Sequence, residues 1–175
     1  GRRAERAVNT VRFARQFAYD EAGGEDLDIL LTLVDCQITY RSRYLVAPLL
    51  APVRDLVVLD PYNPRSVAFQ VSALNDHIAS LPTLKEGGLI ERPQRLAVAL
   101  QATLTTAEAA SLDTKTLFAL EQDLLTLADA IKHGARKLRG AWHVNRFYPL
   151  TIQNFNWHGF KLSPAVGRMM ADLIV

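Results

Sequence analysis

The sequence has few of the features that mark membrane-spanning, disulfide-stabilised or nucleic-acid-binding proteins. Its one cysteine, Cys36, can form neither an internal disulfide nor a metal site with several cysteine ligands, which favours a reducing, cytoplasmic setting. It contains no run of about 18 apolar residues, so we expect no membrane span, and we expect no signal peptide. The net charge of +2 is too small to indicate an anionic membrane or nucleic acid as a partner.

Motifs of common catalytic and cofactor sites are also absent. The four histidines have no zinc-ligand spacing. The chain has no Gly-rich phosphate loop, no dinucleotide fingerprint and no Gly-x-Ser-x-Gly motif. The sequence therefore predicts no bound metal and no cofactor.

What the sequence does have is helical periodicity in a globular composition, with 49% hydrophobic and 22% charged residues. Apolar residues recur every three or four positions, which predicts helices at about residues 2–19, 26–46, 49–59, 64–80, 91–110 and 113–132. Long helices joined by short loops favour an all-α, up-and-down helical bundle over residues 1–139.

Local signals predict where these helices begin and end. Asn63 is a preferred N-cap residue and Pro64 suits the first helical position, so a helix is expected to begin there. His133 and Gly134 favour an end of the last long helix. Both tryptophans follow Gly140, where helical spacing is lost, and residues 140–175 are predicted to form an irregular, aromatic-rich extension.

The second predicted helix contains polar residues in two rows. At 100° per residue, one narrow stripe consists of Asp28, Thr32, Asp35, Thr39 and Ser42. A second ridge, Gln37, Arg41 and Tyr44, falls within an otherwise apolar arc. A guanidinium buried there without a partner would cost several kcal/mol, so Arg41 needs a carboxylate, a set of carbonyls, a bound anion or solvent.

The first predicted helix carries Glu5 and Arg6, which point about 100° apart and are expected to engage different partners. Ion pairs of Glu5 or Arg41 with neighbouring helices can also fix helix register without binding any ligand, and this structural interpretation stays open. Cys36 is interpreted as an inert core thiol. A basic cluster either complements a helix dipole or binds an anion; it consists of Lys132, His133, Arg136, Lys137 and Arg139.

Four ordered stretches carry a family resemblance. They are Gly1 to Ala7, Asp35 with Ile38 to Leu45, Leu49 to Leu56, and Leu59 to Gln70. Together they resemble the bacterial alpha-E family, an all-helical domain of unknown biochemical activity named for its Glu-Arg motif. The Thr-Tyr-Arg-x-Arg-Tyr and Asn-Pro-Arg-Ser elements are the specific part of the resemblance.

The resemblance implies a biological setting. Alpha-E domains occur beside or fused to circularly permuted ATP-grasp enzymes, and with transglutaminase-like proteases, in systems predicted to make or modify peptides. The family's domain is nearly twice as long and has an earlier Glu-Arg helix. By this resemblance, residues 1–139 correspond to the C-terminal half of the domain, and a missing N-terminal half is one expected partner.

The positions that match the family coincide with the polar residues noted above. We expect a polar pocket or interface formed by Glu5, Arg6, Asp35, Gln37, Tyr40, Arg41, Arg43, Tyr44, Asp60, Asn63 and Arg65. Its arginines would hold a carboxylate or phosphate of a peptide or an acyl phosphate, since planar guanidinium groups suit such anions. Glu5 or Asp35 would orient an amine or an arginine.

Two functional hypotheses follow. In the first, the chain is an accessory, non-catalytic module that binds an anionic peptide or docks an ATP-grasp ligase, either fused or separate. In the second, it is a peptide-modifying enzyme with Glu5 or Asp35 as general base. The first is favoured because the sequence shows no activated nucleophile, metal set or phosphate loop. Nucleic-acid binding through the basic cluster is not expected.

Overall fold

A computed structural model of the chain describes residues 2–80 and 91–147, with side chains described as far as Gly134 and at Arg136. The described helices are α1 (Arg2–Phe17), α2 (Gly24–Leu33), α3 (Gln37–Tyr44), α4 (Leu50–Arg54), α5 (Val67–Ala79), α6 (Arg92–Thr106) and α7 (Thr114–Phe147). A π-helical turn, Asp55–Leu59, continues α4, and a 3₁₀ turn, Ala109–Ser111, precedes α7. The predicted all-α bundle is confirmed.

The bundle core is formed by α1, α5, α6 and α7. Helix α1 packs against both α5 and α7, and α6 packs against the same two helices. The apolar periodicity that predicts the first helix also gives its buried face, since Ala7, Val11, Ala14 and Ala18 are completely buried. These small side chains let the neighbouring helices approach α1 closely, and the π-helical turn packs against α1, α5 and α6.

Helices α1 and α7 run antiparallel. The start of α1 lies beside Ile131 and Lys132, whereas Arg12, two turns further on, contacts Glu121. The prediction that α7 ends at His133 and Gly134 is wrong, because the helix continues to Phe147. Gly134 sits where α7 passes the start of α6, and a Cβ there would lie 3.8 Å from Pro93 Cγ.

The predicted extension overlaps this longer helix. Residues 140–147 are helical, so the expectation of irregular structure directly after Gly140 is wrong for that stretch. Residues 148–175 lie outside the described part of the chain. Within the described residues, no helix combines the length and the apolar character that crossing a membrane requires.

The single helix predicted over residues 26–46 is two helices. Asp35 adopts a left-handed conformation with φ of 56°, which ends α2. The amide of Cys36 donates to Leu31 O at 2.8 Å and that of Asp35 to Thr32 O at 3.1 Å, which is the Schellman pattern. The pattern usually takes glycine, but Asp tolerates the left-handed region better than most residues. The continuous polar stripe inferred for one helix is therefore wrong, whereas Gln37, Arg41 and Tyr44 all lie on α3 and keep their helical spacing.

The start of α5 also differs from the prediction. Its N-cap is Ser66, whose hydroxyl accepts a hydrogen bond from the amide of Phe69 at 3.0 Å. Asn63 lies three residues earlier, buried, and does not cap the helix. Asn63 and Ser66 are both good capping residues, and the tertiary bonds of Asn63 decide between them.

Candidate functional site

The centre of the candidate site is the turn formed by residues 60–66, here called the Asn63 turn. It joins the π-helical turn to α5, and Asp60, Asn63 and Ser66 are buried within it. The hydroxyl of Ser66 donates to Asp60 O, which closes the turn on itself. Buried polar groups of this kind need partners, and those of the Asn63 turn find most of theirs in the backbone.

Asn63 connects the turn to two other parts of the chain. Its Nδ2 donates to Leu56 O at 2.8 Å and to Cys36 Sγ at 3.3 Å, while its Oδ1 accepts from the amide of Arg65 at 3.1 Å. Burial raises the pKa of the Cys36 thiol, and the bond from Asn63 offsets this only in part. A buried thiol with a raised pKa carries little thiolate, in line with the expected inert core cysteine.

Two arginines are held at the edges of the turn. Arg43 of α3 forms an ion pair with the buried carboxylate of Asp60, which also accepts the amide of Tyr62 at 2.8 Å. Arg65 pairs with Asp35, the residue that ends α2. The Arg43 and Arg65 side chains are 41% and 43% exposed, so each guanidinium is fixed on one side and open to solvent on the other.

Next to this turn, Asp55 and Tyr44 form a half-buried titratable pair beside Arg43. Burial and then the charge of Asp60 raise the pKa of Asp55, and Arg43 opposes the shift. Burial, followed by the charge of Asp55, raises the pKa of Tyr44. A carboxyl group that protonates more readily than usual thus stands at the start of the π-helical turn, an element often found near functional sites.

Tyr40 lies on the buried side of α3, and its side chain supports the loop that follows this helix. Its ring lies 4.8 Å from that of Tyr44 between centroids. Its hydroxyl donates to Ala47 O at 3.3 Å and accepts the amide of Leu49 at 3.1 Å. The ring of Tyr40 thus packs on Tyr44, and its hydroxyl holds the loop after α3, so Tyr40 has a structural role.

The structure does not bring all the predicted site residues together. Arg41 is exposed. It precedes Arg43 by two residues, which places the two side chains on opposite sides of α3. The expectation that Arg41 is buried in an apolar arc is therefore wrong, while Gln37 is half-buried at the start of α3. Glu5 and Arg6 are exposed on α1, and no hydrogen bond or ion pair among the described residues joins them to the Asn63 turn.

Glu5 instead lines a groove of about 270 Å³ between α1 and α7. The groove has an apolar floor that includes Val8 and Ile131, and its polar residues are Glu5, Asn9, Arg12 and Lys132. A larger groove of about 850 Å³ lies between α6 and α7. There Lys132, His133 and Arg136 of the basic cluster face Glu91 and Asp129, so this surface is mixed in charge.

Two buried ionic groups were not expected from the sequence. Arg54 is 4% exposed, and its guanidinium donates to Ala18 O at 2.8 and 3.0 Å and to Asp20 Oδ1 at 2.7 Å. It thereby binds the carboxyl end of α1, where cations are favourable. Glu121 is 5% exposed and is paired with Arg12 at 2.7 Å and Arg15 at 3.2 Å. The sequence does hold a signal for Glu121: it lies on the same face of α7 as Leu117, Leu120 and Leu124, and a carboxylate on an apolar face indicates a buried charge.

The chain matches one model of a known protein family. Residues 1–139 match the model of Alpha-E, described as a predicted alpha-helical domain with a conserved Glu-Arg motif. The chain belongs to the Alpha-E family. The resemblance seen in the sequence is confirmed, and no curated protein and no solved structure matched the chain in parallel comparisons.

This Alpha-E chain contains the Glu-Arg pair twice, at Glu5–Arg6 and at Glu91–Arg92. The first pair lies on α1 and contributes Glu5 to the smaller groove, and the second begins α6 and lines the larger one. Both grooves contain Leu125, Ala128 and Lys132, so they flank the same part of α7. Among the described residues of the Alpha-E domain, no group of histidine, cysteine and carboxylate side chains is placed to hold a metal ion.

Proposed function

We propose that this Alpha-E chain is an accessory, non-catalytic module of a bacterial ATP-grasp-associated system for peptide synthesis or modification. It binds an anionic peptide at the Asn63 turn and presents that peptide to a ligase, which is either fused to it or separate. The family membership supports the setting through the association of Alpha-E domains with ATP-grasp enzymes. The residues of the Asn63 turn support the mode of binding.

The observation that carries the proposal is the fixed, half-exposed position of Arg43 and Arg65. Each is anchored through an ion pair, to Asp60 and to Asp35 respectively, and each leaves further donors facing solvent. An arginine already held in place loses less side-chain entropy when it binds a carboxylate. Two such groups at the edges of one short turn, Arg43 from α3 and Arg65 from the turn itself, suit a ligand with two or more carboxylates.

The second candidate function, general-base catalysis by Asp35 or Glu5, has weaker support. Asp35 is 76% exposed and already pairs with Arg65, and Glu5 is exposed at the rim of its groove. A general base works best in a site that fixes the substrate and tunes the base toward the working pH. Asp55 has a raised pKa and so has the better environment for proton transfer, but it is half-buried and less accessible to a substrate than Asp35.

The test is a titration of the purified chain with a fluorescein-labelled oligo-glutamate peptide, followed by fluorescence anisotropy. Arg65→Gln is the informative variant, because its partner Asp35 is exposed and the loss of this surface pair costs little stability. We expect it to weaken binding about tenfold, in line with a lost hydrogen bond between charged groups. Arg95→Gln on α6 makes the same change of charge at another exposed site and should bind like the wild type.

A second arm mixes the chain with the ATP-grasp enzyme of its own organism and monitors co-elution from a sizing column. The proposal is supported if the ligase or the acidic peptide binds and Arg65→Gln weakens that binding. It is wrong if neither binds, or if Arg65→Gln and Arg95→Gln behave alike. Product formed from peptide and ATP by the chain alone, and lost in Asp35→Asn or Glu5→Gln, would establish the enzymatic alternative.

A further inference from the structure

Among the described residues, exposed large apolar side chains are most concentrated on α2, α3 and the loop that follows α3. Six of the eleven large apolar side chains that are exposed lie between residues 29 and 49: Ile29, Leu33, Ile38, Leu45, Val46 and Leu49. The other five are scattered over four separate regions. Concentrated exposure of this kind marks an interaction surface, whereas isolated apolar residues at a surface are ordinary.

Three of these side chains, Ile29, Leu33 and Ile38, lie on the exposed sides of two consecutive helices, and the other three lie at the end of α3 and in the loop that follows it. Ile29 and Leu33 are four residues apart on α2, and Ile38 and Leu45 are seven apart along α3 and its end. The opposite faces, with Leu30 and Leu31 on α2 and Tyr40 on α3, are buried in the protein. We call the outward surface the α2–α3 face, defined by Glu25, Asp28, Ile29, Leu33, Ile38, Arg41 and Leu45.

Leu45 is the most unusual member of this face. It ends α3 with φ of 33°, a left-handed conformation that costs a branched apolar residue about 1 kcal/mol. Its side chain is 91% exposed, so none of that cost is recovered by burial within the described chain. The same side chain would recover it in an interface.

The charges of the α2–α3 face are separated by sign. Helix α2 has Glu25, Asp26 and Asp28 but no cation, and α3 has Arg41 and Arg43 but no carboxylate. Asp26 accepts the hydroxyl of Tyr19 at 2.9 Å, and Arg43 is paired with Asp60. Glu25, Asp28 and Arg41 have no ion-pair partner within the described residues. Along the chain the two carboxylates precede Ile29, Leu33 and Ile38, and Arg41 follows them.

We propose that the α2–α3 face is a two-fold interface between two copies of this chain. A two-fold axis applies the same patch to itself, so a patch that is acidic at one end and basic at the other becomes complementary. Helix α2 of each copy then lies on α3 of its partner, with Glu25 or Asp28 opposite Arg41. The apolar residues Ile29, Leu33 and Ile38 form the dry centre, and the charges form the rim.

Charge complementarity is what favours a second copy over a different protein. A foreign partner would need an apolar centre flanked by a basic and an acidic edge in the matching order. The chain itself carries that arrangement. Because both helices are short, the interface is at the small end of specific interfaces, and a dimer in the micromolar range is expected.

The test uses the whole 175-residue chain in sedimentation equilibrium from about 1 to about 200 μM, the range in which a small interface assembles. We expect a reversible dimer. Ile38→Asp should abolish it, because it places a charge in the apolar centre of both copies. Val98→Asp, a matched change at a half-exposed position on α6, should leave dimerisation unchanged.

Charge exchange identifies the geometry. Arg41→Glu alone and Glu25→Lys alone should each weaken the dimer at least tenfold, since every contact occurs twice in a two-fold interface. Mixing the two single variants should restore association as a heterodimer, and circular dichroism confirms that each remains folded. A chain that stays monomeric throughout the range, or a dimer insensitive to Ile38→Asp and to the charge changes, would overturn the proposal.

Discussion

Two of the regions that bury polar groups, the contact between α1 and α7 and the Asn63 turn, do so in different ways. Between α1 and α7, the buried Glu121 depends on two half-exposed arginine side chains, and its Oε2 lies 3.2 Å from Arg15 without an aligned hydrogen bond. In the Asn63 turn, Asn63 and Ser66 bond mainly to backbone groups. The first arrangement joins two regular helices, and the second determines the path of an irregular segment.

The difference teaches which contacts define the fold. An ion pair whose arginines are half-exposed responds to salt, and the cost of burying its carboxylate offsets part of the attraction. A buried side-chain amide bonded to a buried carbonyl leaves that carbonyl without a partner when it is removed, which costs more. The irregular segment should therefore be more sensitive to single substitutions than the helix pair, although it contains fewer regular hydrogen bonds.

The largest effect should come from Asn63→Ala. The change removes the donor to Leu56 O and the acceptor for the amide of Arg65, so we expect a loss of about 2–3 kcal/mol in the free energy of unfolding. Urea unfolding followed by circular dichroism measures it. Asn9→Ala, an exposed position on α1, is the control and should change stability by less than about 0.5 kcal/mol. Equal losses in the two variants would remove the distinction between the regions.

A smaller effect is expected for Glu121→Gln. The amide keeps the shape of the side chain but loses the charge that Arg12 and Arg15 approach, and it is also less costly to bury. These effects oppose each other, so we expect a loss of about 1 kcal/mol at low salt. The loss should shrink when unfolding is measured at high salt, where the wild-type pair is screened. A loss as large as that of Asn63→Ala would reverse the proposed ranking.

The smallest effect concerns Asp55 and depends on pH. Because burial and the charge of Asp60 raise the pKa of Asp55 in the folded state, its protonation favours folding at acid pH. That contribution is present below the unfolded value near 3.8 and is lost as the pH rises through the folded pKa. Asp55→Asn should thus be slightly more stable than the wild type at pH 7 and equal to it near pH 3. Urea unfolding at several pH values tests this, and a deficit at pH 7 would contradict it.

The sequence was sufficient where a helix follows one period from end to end. Apolar residues recur every three or four positions between Ala4 and Ala18, and this period predicts the buried face of α1 because it matches a helix and not a strand. It was insufficient at Asp35, because the signal that usually ends a helix in this way is glycine. Without that break, helical spacing puts the positions on either side of Asp35 on one helix, and it places Arg41 on the wrong surface.

Tertiary partners account for the other differences. Asn63 is a residue type that often caps helices, but its side chain instead donates hydrogen bonds to Leu56 O and Cys36 Sγ. Arg54 has no helical neighbour that reveals its role, since its partners Ala18 and Asp20 are more than thirty residues away in the chain. The family resemblance groups Arg43, Asp60 and Arg65 in one expected site, which helical spacing alone does not; in the structure Arg43 pairs with Asp60, and Arg65 pairs with Asp35.

The hydroxyl of Tyr40 has a consequence for the loop at residues 45–49. By bonding both Ala47 O and the amide of Leu49, it braces this short arch from beneath, on either side of Pro48. These two hydrogen bonds hold the loop in one conformation before any partner binds. A partner that contacts Leu45, Val46 or Leu49 would therefore meet a preorganised surface, and binding would cost little conformational entropy.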